Sequence, residues 1–215
     1  MSPRNVRWIS AVAVSLAVGV VGSLQAQTEL EVGAFGGLFA PTSDFAISPD
    51  PGSFPIGQAS AKASTAFTYG VVGRAWLADR LGVQATLGFT DGSLVVQSPL
   101  GTAPDTTYPA SSTAVTAALL YRFTTPTIQN TVWVSAGVVF LSQDSPHFAP
   151  YQASTGIGPT FGAGSTLPLG DRWRVNLMLD AFIYSFNLEA PGAETLSSSQ
   201  FDLRALAGMS YRLGR

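Results

Sequence analysis

The chain has 215 residues, a formal net charge of −2, no cysteine and one lysine, Lys62. Charged residues make up 11% of it, against roughly 25% in ordinary soluble proteins, too few to cover the outside of a water-soluble β-protein or guard its edges. A pI near 5.2 argues against nucleic acid as a partner, and the lack of cysteine excludes disulfides, thiolate metal sites and cysteine catalysis.

Arg4 and Arg7 precede an apolar run from Trp8 to Val21, followed by Gly22-Ser23-Leu24-Gln25-Ala26. A charged start, an apolar stretch and a small-residue zone predict a secretory signal peptide over residues 1–26, cut after Ala26. The apolar run is short for a spanning helix, which needs about 20 residues. Without Arg4 and Arg7, nine basic residues face thirteen acidic ones, so the mature chain, 27–215, carries a net −4. No later segment is a long unbroken apolar run, which excludes helical spans.

From Glu29 onward the signal is alternation with period two, the mark of strands with two unlike faces. Strand one, Glu29–Ala40, sets Leu30, Val32, Ala34 and Leu38 against Glu29, Glu31, Gly33, Phe35 and Gly37. A Pro, Ser, Gly and Asp-rich stretch, Pro41–Ala61, reads as a loop. Strand two, Ala66–Leu77, puts Phe67, Tyr69, Val71 and Ala75 opposite Thr68, Gly70, Arg74 and Trp76. The tight turn Ala78-Asp79-Arg80 leads into strand three, which starts at Leu81 and keeps alternating to Gln97.

Ser98–Ser112 reads as a second polar loop. Strand four is Thr113–Phe123 and strand five Thr131–Ser142, joined by a short turn around Pro126. A third loop covers Gln143–Ser154. Strand six, Thr155–Leu167, opposes Ile157, Phe161, Ala163 and Leu167 to a file of Gly158, Thr160, Gly162, Gly164 and Thr166. Those glycines, with Gly156, leave room for neighbouring side chains. Pro159 removes a ladder donor, so a bulge is expected there, or a strand that pairs fully only beyond it. Pro168–Arg172 turns tightly into the clearest hairpin of the chain. Its first strand begins at Trp173, its loop is Asn187–Ser198, and its second strand runs from Phe201 to Leu213.

Eight strands with loops alternately long and short predict an all-β fold: an eight-stranded antiparallel up-and-down transmembrane β-barrel. A closed barrel leaves no backbone donor unpaired in lipid, which an open sheet would. The bulky aliphatic face of each strand then looks outward. Arginine at a lipid-facing midplane costs roughly 2–4 kcal/mol, so Arg74, Arg122, Arg174, Arg204 and Arg212 belong inside, with Trp76, Trp133, Phe182, Tyr184 and Phe186 as bulk. Buried guanidiniums need partners. Counting back from the last loop puts Asp180 beside Arg204. Closing strand eight onto strand one brings Glu29 and Glu31 near Arg212. These are candidate lumen ion pairs, either structural or lining a pore. Tyr121, Phe123, Trp173 and Tyr211 gather toward one end of the strands, and Phe67, Tyr69, Phe89, Phe140 and Phe201 toward the other, as two aromatic girdles at membrane interfaces.

Gly208, Tyr211 and Leu213 match the spacing of the terminal signal by which β-barrel outer-membrane proteins are recognised for assembly; Leu206 stands where that pattern prefers a polar residue, and Gly214-Arg215 follow it. In layout the mature chain resembles the small eight-stranded outer-membrane β-barrel proteins, the OmpA-, OmpX- and OmpW-like barrels. The resemblance implies export through the periplasm, residence in a bacterial outer membrane, contact with its lipid including lipopolysaccharide, and the barrel-assembly machinery as a folding partner. It implies no cofactor. Because that group includes anchors, adhesins, narrow channels and lipid enzymes, the shared fold assigns no function.

Three functions fit. The first is a non-enzymatic barrel with a structural or surface-interaction role through its external loops, which carry Asp44, Asp50, Asp105, Asp144, Glu189 and Glu194 against Lys62. The second is a narrow passive pore for ions or small solutes. The third is an outer-leaflet lipid-modifying enzyme, for which the single histidine, His147, has Asp144, Ser142 and Ser145 nearby but no motif. One histidine does not build a histidine-based zinc site, and no metal or catalytic residue is assigned.

Overall fold

The computed structural model describes residues 29–47, 59–97, 106–123, 130–145, 152–153, 155–189 and 196–213. The expected signal peptide and His147 lie outside the described residues. Alternation becomes eleven antiparallel strands: β1 (Glu29–Pro41), β2 (Phe45–Ile47), β3 (Ala59–Ala63), β4 (Ala66–Trp76), β5 (Leu81–Gln97), β6 (Thr106–Arg122), β7 (Thr131–Asp144), β8 (Gln152–Ala153), β9 (Gly156–Leu169), β10 (Trp173–Glu189) and β11 (Leu196–Leu213). Eight of them close a barrel in the order β1-β4-β5-β6-β7-β9-β10-β11, and β11 pairs back onto β1 from Leu30–Leu213 to Pro41–Asp202. These are the eight strands expected from the alternation.

Paired residues followed once around the wall run from Glu31 through Arg74, Gln84, Ala118, Gly137, Thr160, Phe182 and Asp202 and return to β1 at Pro41, ten residues along. That stagger forces the strands to tilt, and an eight-stranded barrel is just wide enough inside for side chains to fill.

The wall is taller than the polar loops suggest. Strands of about 9–11 residues suffice to cross a bilayer, yet β5, β6 and β10 have 17 residues each and β11 has 18. The stretch Ser98–Ser112 is therefore not all loop, because Thr106–Ser112 pairs with β5. Likewise Asn187–Glu189 and Leu196–Ser198 continue the last hairpin, and Gln143 and Asp144 continue β7. In β6, residues 106–112 are exposed or half-buried on both faces, so the apolar alternation that marks a strand is missing there.

Between β3 and β4 the register to β5 slips by one. Ala63 faces Leu94 and Phe67 faces Asp91, so three residues oppose two. This is a β-bulge. Ser64 N–H donates to the Ser93 carbonyl at 2.8 Å, Ser93 N–H donates to Ser64 Oγ at 3.1 Å, and the two hydroxyls meet at 2.9 Å. No such slip occurs at Pro159. The register is constant along both neighbours, Val138 faces Pro159 on β7, and only the β10 ladder skips residues 158 and 159. Of the two outcomes expected there, the bulge is absent and the other is met toward β10, whose ladder is unbroken only from Thr160 onward, so that Pro159 costs two rungs and no shift.

Candidate functional site: the filled interior and the two ends

Interior positions come from the even residues of β10 and β11 and their counterparts elsewhere. Trp133, Phe182, Leu120 and Arg204 are at most 1% exposed, and Arg74, Glu31 and Asp180 are buried with them. Outward positions are the reverse. Leu38, Val71, Phe161, Leu177 and Leu179 are about half exposed, and Leu119 more than that. An outer surface this apolar, with buried charge at the centre, inverts the arrangement of a soluble protein.

Two polar clusters plug the axis. In the first, Arg74 Nε and Nη2 donate to Gln84 Oε1 at 3.1 and 2.8 Å, and Nη1 donates to Glu31 Oε2 at 3.3 Å, Asn176 Oδ1 at 3.1 Å and Thr166 Oγ1 at 3.2 Å. Asn176 Nδ2 donates to Ser210 Oγ at 2.9 Å, and Ser210 Oγ donates to Glu31 Oε2 at 3.1 Å. The guanidinium lies 4.8 Å from the centre of the Trp133 ring. In the second, Arg204 Nε and Nη2 donate to Asp180 Oδ2 at 3.2 and 2.7 Å, and Nη2 donates to Thr86 Oγ1 at 3.2 Å. Arg204 sits between the rings of Phe35 and Phe182, at 5.3 and 4.9 Å. Its Nη1 has no partner among the described residues. Two charges buried together need this density of hydrogen bonds to offset lost hydration.

Glu31 lies in register with both Arg74 and Arg212, its neighbours on either side. Its carboxylate joins Arg74. Arg212 turns to Glu29, with Nε 3.1 Å from Oε1, and Arg122 approaches the same carboxylate at 3.8 Å. Arg122 also lies 4.3 Å over the Trp76 ring and donates to the Ala78 and Asp79 carbonyls, closing the short-turn end. Arg174 has no ion pair among the described residues; it donates to the Gly170 and Trp173 carbonyls, both at 3.1 Å, and so braces its own turn. That turn hinges on Gly170, whose φ of 81° suits glycine.

Nearer the long-loop end, Gln143 Nε2 donates to Tyr184 Oη at 3.0 Å, and Tyr184 Oη donates to Asp202 Oδ2 at 2.6 Å. Phe39 packs 6.3 Å from Phe182. Phe39 also borders a shallow recess with Thr90, Leu94 and Gln143. The Asp202–Tyr184–Gln143 chain and the Asn176–Thr166–Ser210 partners of Arg74 were not singled out from sequence. They lie on the same interior files as the arginines, which is the signal that finds them. Among the described residues no three of His, Cys, Asp and Glu gather to hold a metal ion.

The glycine file of β9 gives the rings their space. A Cβ at Gly164 would collide with the Trp133 ring, and one at Gly156 with the Tyr184 ring.

Comparison with solved structures places this wall among known ones. OprG from Pseudomonas aeruginosa superposes with a TM-score of 0.63 at 14% identity over 90% of this chain and 100% of that one. AlkL, solved in lipid bilayers, gives 0.55 at 15% identity over 88% and 92%. Neisserial surface protein A gives 0.54 at 10% identity over 87% and 100%. The fold is that of the small eight-stranded outer-membrane barrels. No protein-family model and no curated protein matches the chain.

In that fold the exposed aromatics take their places. Phe67, Tyr69 and Phe89 form one patch toward the long-loop end, with ring centres 6.3 and 6.0 Å apart, and Phe140 and Phe201 are exposed on the same outer surface. Toward the short turns, Tyr121 meets Phe123 edge-on at 5.4 Å and Trp173 meets Tyr211 at 5.1 Å. In the last strand of this outer-membrane barrel fold, Gly208 and Leu206 face the lumen beside Phe35 and Gly37, whereas Tyr211 and Leu213 lie on the outward file.

Proposed function

We propose that this chain is a non-enzymatic barrel of a bacterial outer membrane, working as a structural or surface-interaction protein through its long-loop end. Its short turns then face the periplasm, through which it is exported, and its wall contacts outer-membrane lipid including lipopolysaccharide. The barrel-assembly machinery is the partner in its folding. The observation that carries this reading is the filling of the axis between Arg74 and Arg204: Trp133, Phe182 and Arg204 are at most 1% exposed, and both guanidiniums are tied to opposing strands. A solute crossing that level would have to displace these side chains and break the bonds across the interior from Arg74 to Thr166 and Asn176 and from Arg204 to Thr86, leaving buried charge under-satisfied. The apolar outer belt supports residence in lipid, where it gains what water would deny it.

The test is conductance in a planar bilayer. The expected result is silence at all voltages. A stable current that shifts on Arg204→Ala would replace this reading with that of a narrow pore. Exchange of the external loops should remove partner binding while the barrel still migrates differently before and after heating on a detergent gel. Overexpression should leave lipid A and phospholipids unchanged.

A further inference from the structure

The short-turn end builds one arrangement twice, on opposite sides of the wall. In the first copy, Asp79-Arg80 precedes β5, and Tyr121-Arg122 ends β6. In the second, Asp171-Arg172 precedes β10, and Tyr211-Arg212 nears the end of β11. The residue after each turn arginine directly faces the tyrosine: Leu81 faces Tyr121, and Trp173 faces Tyr211. The arginine after each tyrosine donates its N–H to the turn arginine's carbonyl, Arg122 to Arg80 at 2.9 Å and Arg212 to Arg172 at 2.8 Å. Those two strand arginines both turn inward to Glu29. The two turn arginines turn outward. Arg80 Nη1 donates to the Tyr121 hydroxyl at 3.3 Å, and Arg172 Nη1 donates to the Tyr211 hydroxyl at 2.8 Å.

Arg80 and Arg172 have no carboxylate within ion-pair distance among the described residues. The acidic groups beside them, Asp79 and Asp171, are their exposed chain neighbours. The hydrogen bond to Tyr211 raises the Arg172 guanidinium pKa above its ordinary value, so it stays charged. Each tyrosine accepts from the guanidinium and so keeps its own O–H to donate. Each pair therefore presents several N–H groups and one O–H, fixed on an amphipathic ring at the edge of the apolar wall. A planar guanidinium fork is matched to phosphate oxygens, and this height is where a lipid's phosphate lies.

We propose that Arg172 with Tyr211, and Arg80 with Tyr121, are two binding sites for the phosphate of anionic glycerophospholipids in the leaflet at the short-turn end. The proposal rests on the membrane reading above. The chain supplies its own reporter: of its four tryptophans, Trp173 is 48% exposed beside Arg172 and Tyr211, whereas Trp76 and Trp133 are buried in the lumen. In a Trp8→Phe background, exposed fluorescence comes from Trp173 alone.

The full chain is reconstituted in phosphatidylcholine vesicles containing a small, equal fraction of either brominated phosphatidylcholine or brominated phosphatidylglycerol. Brominated phosphatidylglycerol is expected to be enriched about fivefold at Trp173, as one arginine at a membrane surface would give, and to quench correspondingly more. Arg172→Gln should equalise the two lipids, and Arg80→Gln, the same change of charge on the far side, should leave the preference intact. Equal quenching in the parent, or equal loss in both variants, overturns the proposal. Tyr211→Phe, which keeps the charge, should weaken the preference and serves if Arg172→Gln fails to fold. If brominated phosphatidylcholine itself does not quench Trp173, the membrane reading fails instead.

Discussion

Asp180 and Arg204 are direct register partners on β10 and β11, and the carboxylate holds the guanidinium at 2.7 Å with both side chains almost fully buried. Removing one partner leaves a bare charge in the barrel. Asp180→Asn is therefore expected to destabilise by about 3–5 kcal/mol, whereas Asp180→Leu with Arg204→Met recovers most of that loss. Urea unfolding of the reconstituted barrel, followed by tryptophan fluorescence, measures both. A single variant as stable as the parent would show that the pair is not coupled.

Glu31 faces two arginines and uses one. Its contact with Arg74 is buried, and the contact of Arg212 with Glu29 is 30% exposed on the arginine side. Glu31→Gln should cost about 3 kcal/mol or more, and Arg212→Gln no more than about 1 kcal/mol. A double-mutant cycle should find strong coupling between Glu31 and Arg74 and little between Glu31 and Arg212.

Leu177 points outward from β10 and is 49% exposed. In a bilayer, Leu177→Arg is expected to cost roughly 2–4 kcal/mol. The same substitution in a barrel facing water would be nearly neutral. Equilibrium unfolding from vesicles separates the two cases, and a neutral result would turn the wall inside out.

Gly164 lies under the Trp133 ring, and a Cβ there would also press on the Leu177 carbonyl. Gly164→Ala should destabilise by about 1–3 kcal/mol, the usual cost of overpacking. Trp133→Leu in the same chain should relieve part of it, measured by the same unfolding assay.

The two faces of the wall were legible because a strand has a period of two and arginine is costly in lipid. The Asp180–Arg204 pair was legible because both residues flank one hairpin and can be counted from its loop. The partner of Glu31 was not. Its contact with Arg74 depends on the register between β1 and β4, across a stretch of chain whose length carries no register information. The tops of β6, β10 and β11 were missed for a different reason. Thr106–Ser112 is rich in Thr, Ser and Pro, because it is held in the sheet by β5, and by β7 only at Ser111 and Ser112, rather than by an apolar face.

The overshoot of β5, β6, β10 and β11 has a thermodynamic corollary. Their ladders continue through Val96–Thr106 and Leu188–Leu196, well past the length a bilayer needs. A ligand gripping those upper rungs meets backbone that folding has already immobilised. Little configurational freedom is then surrendered at the moment of contact, so a modest footprint suffices for lasting attachment.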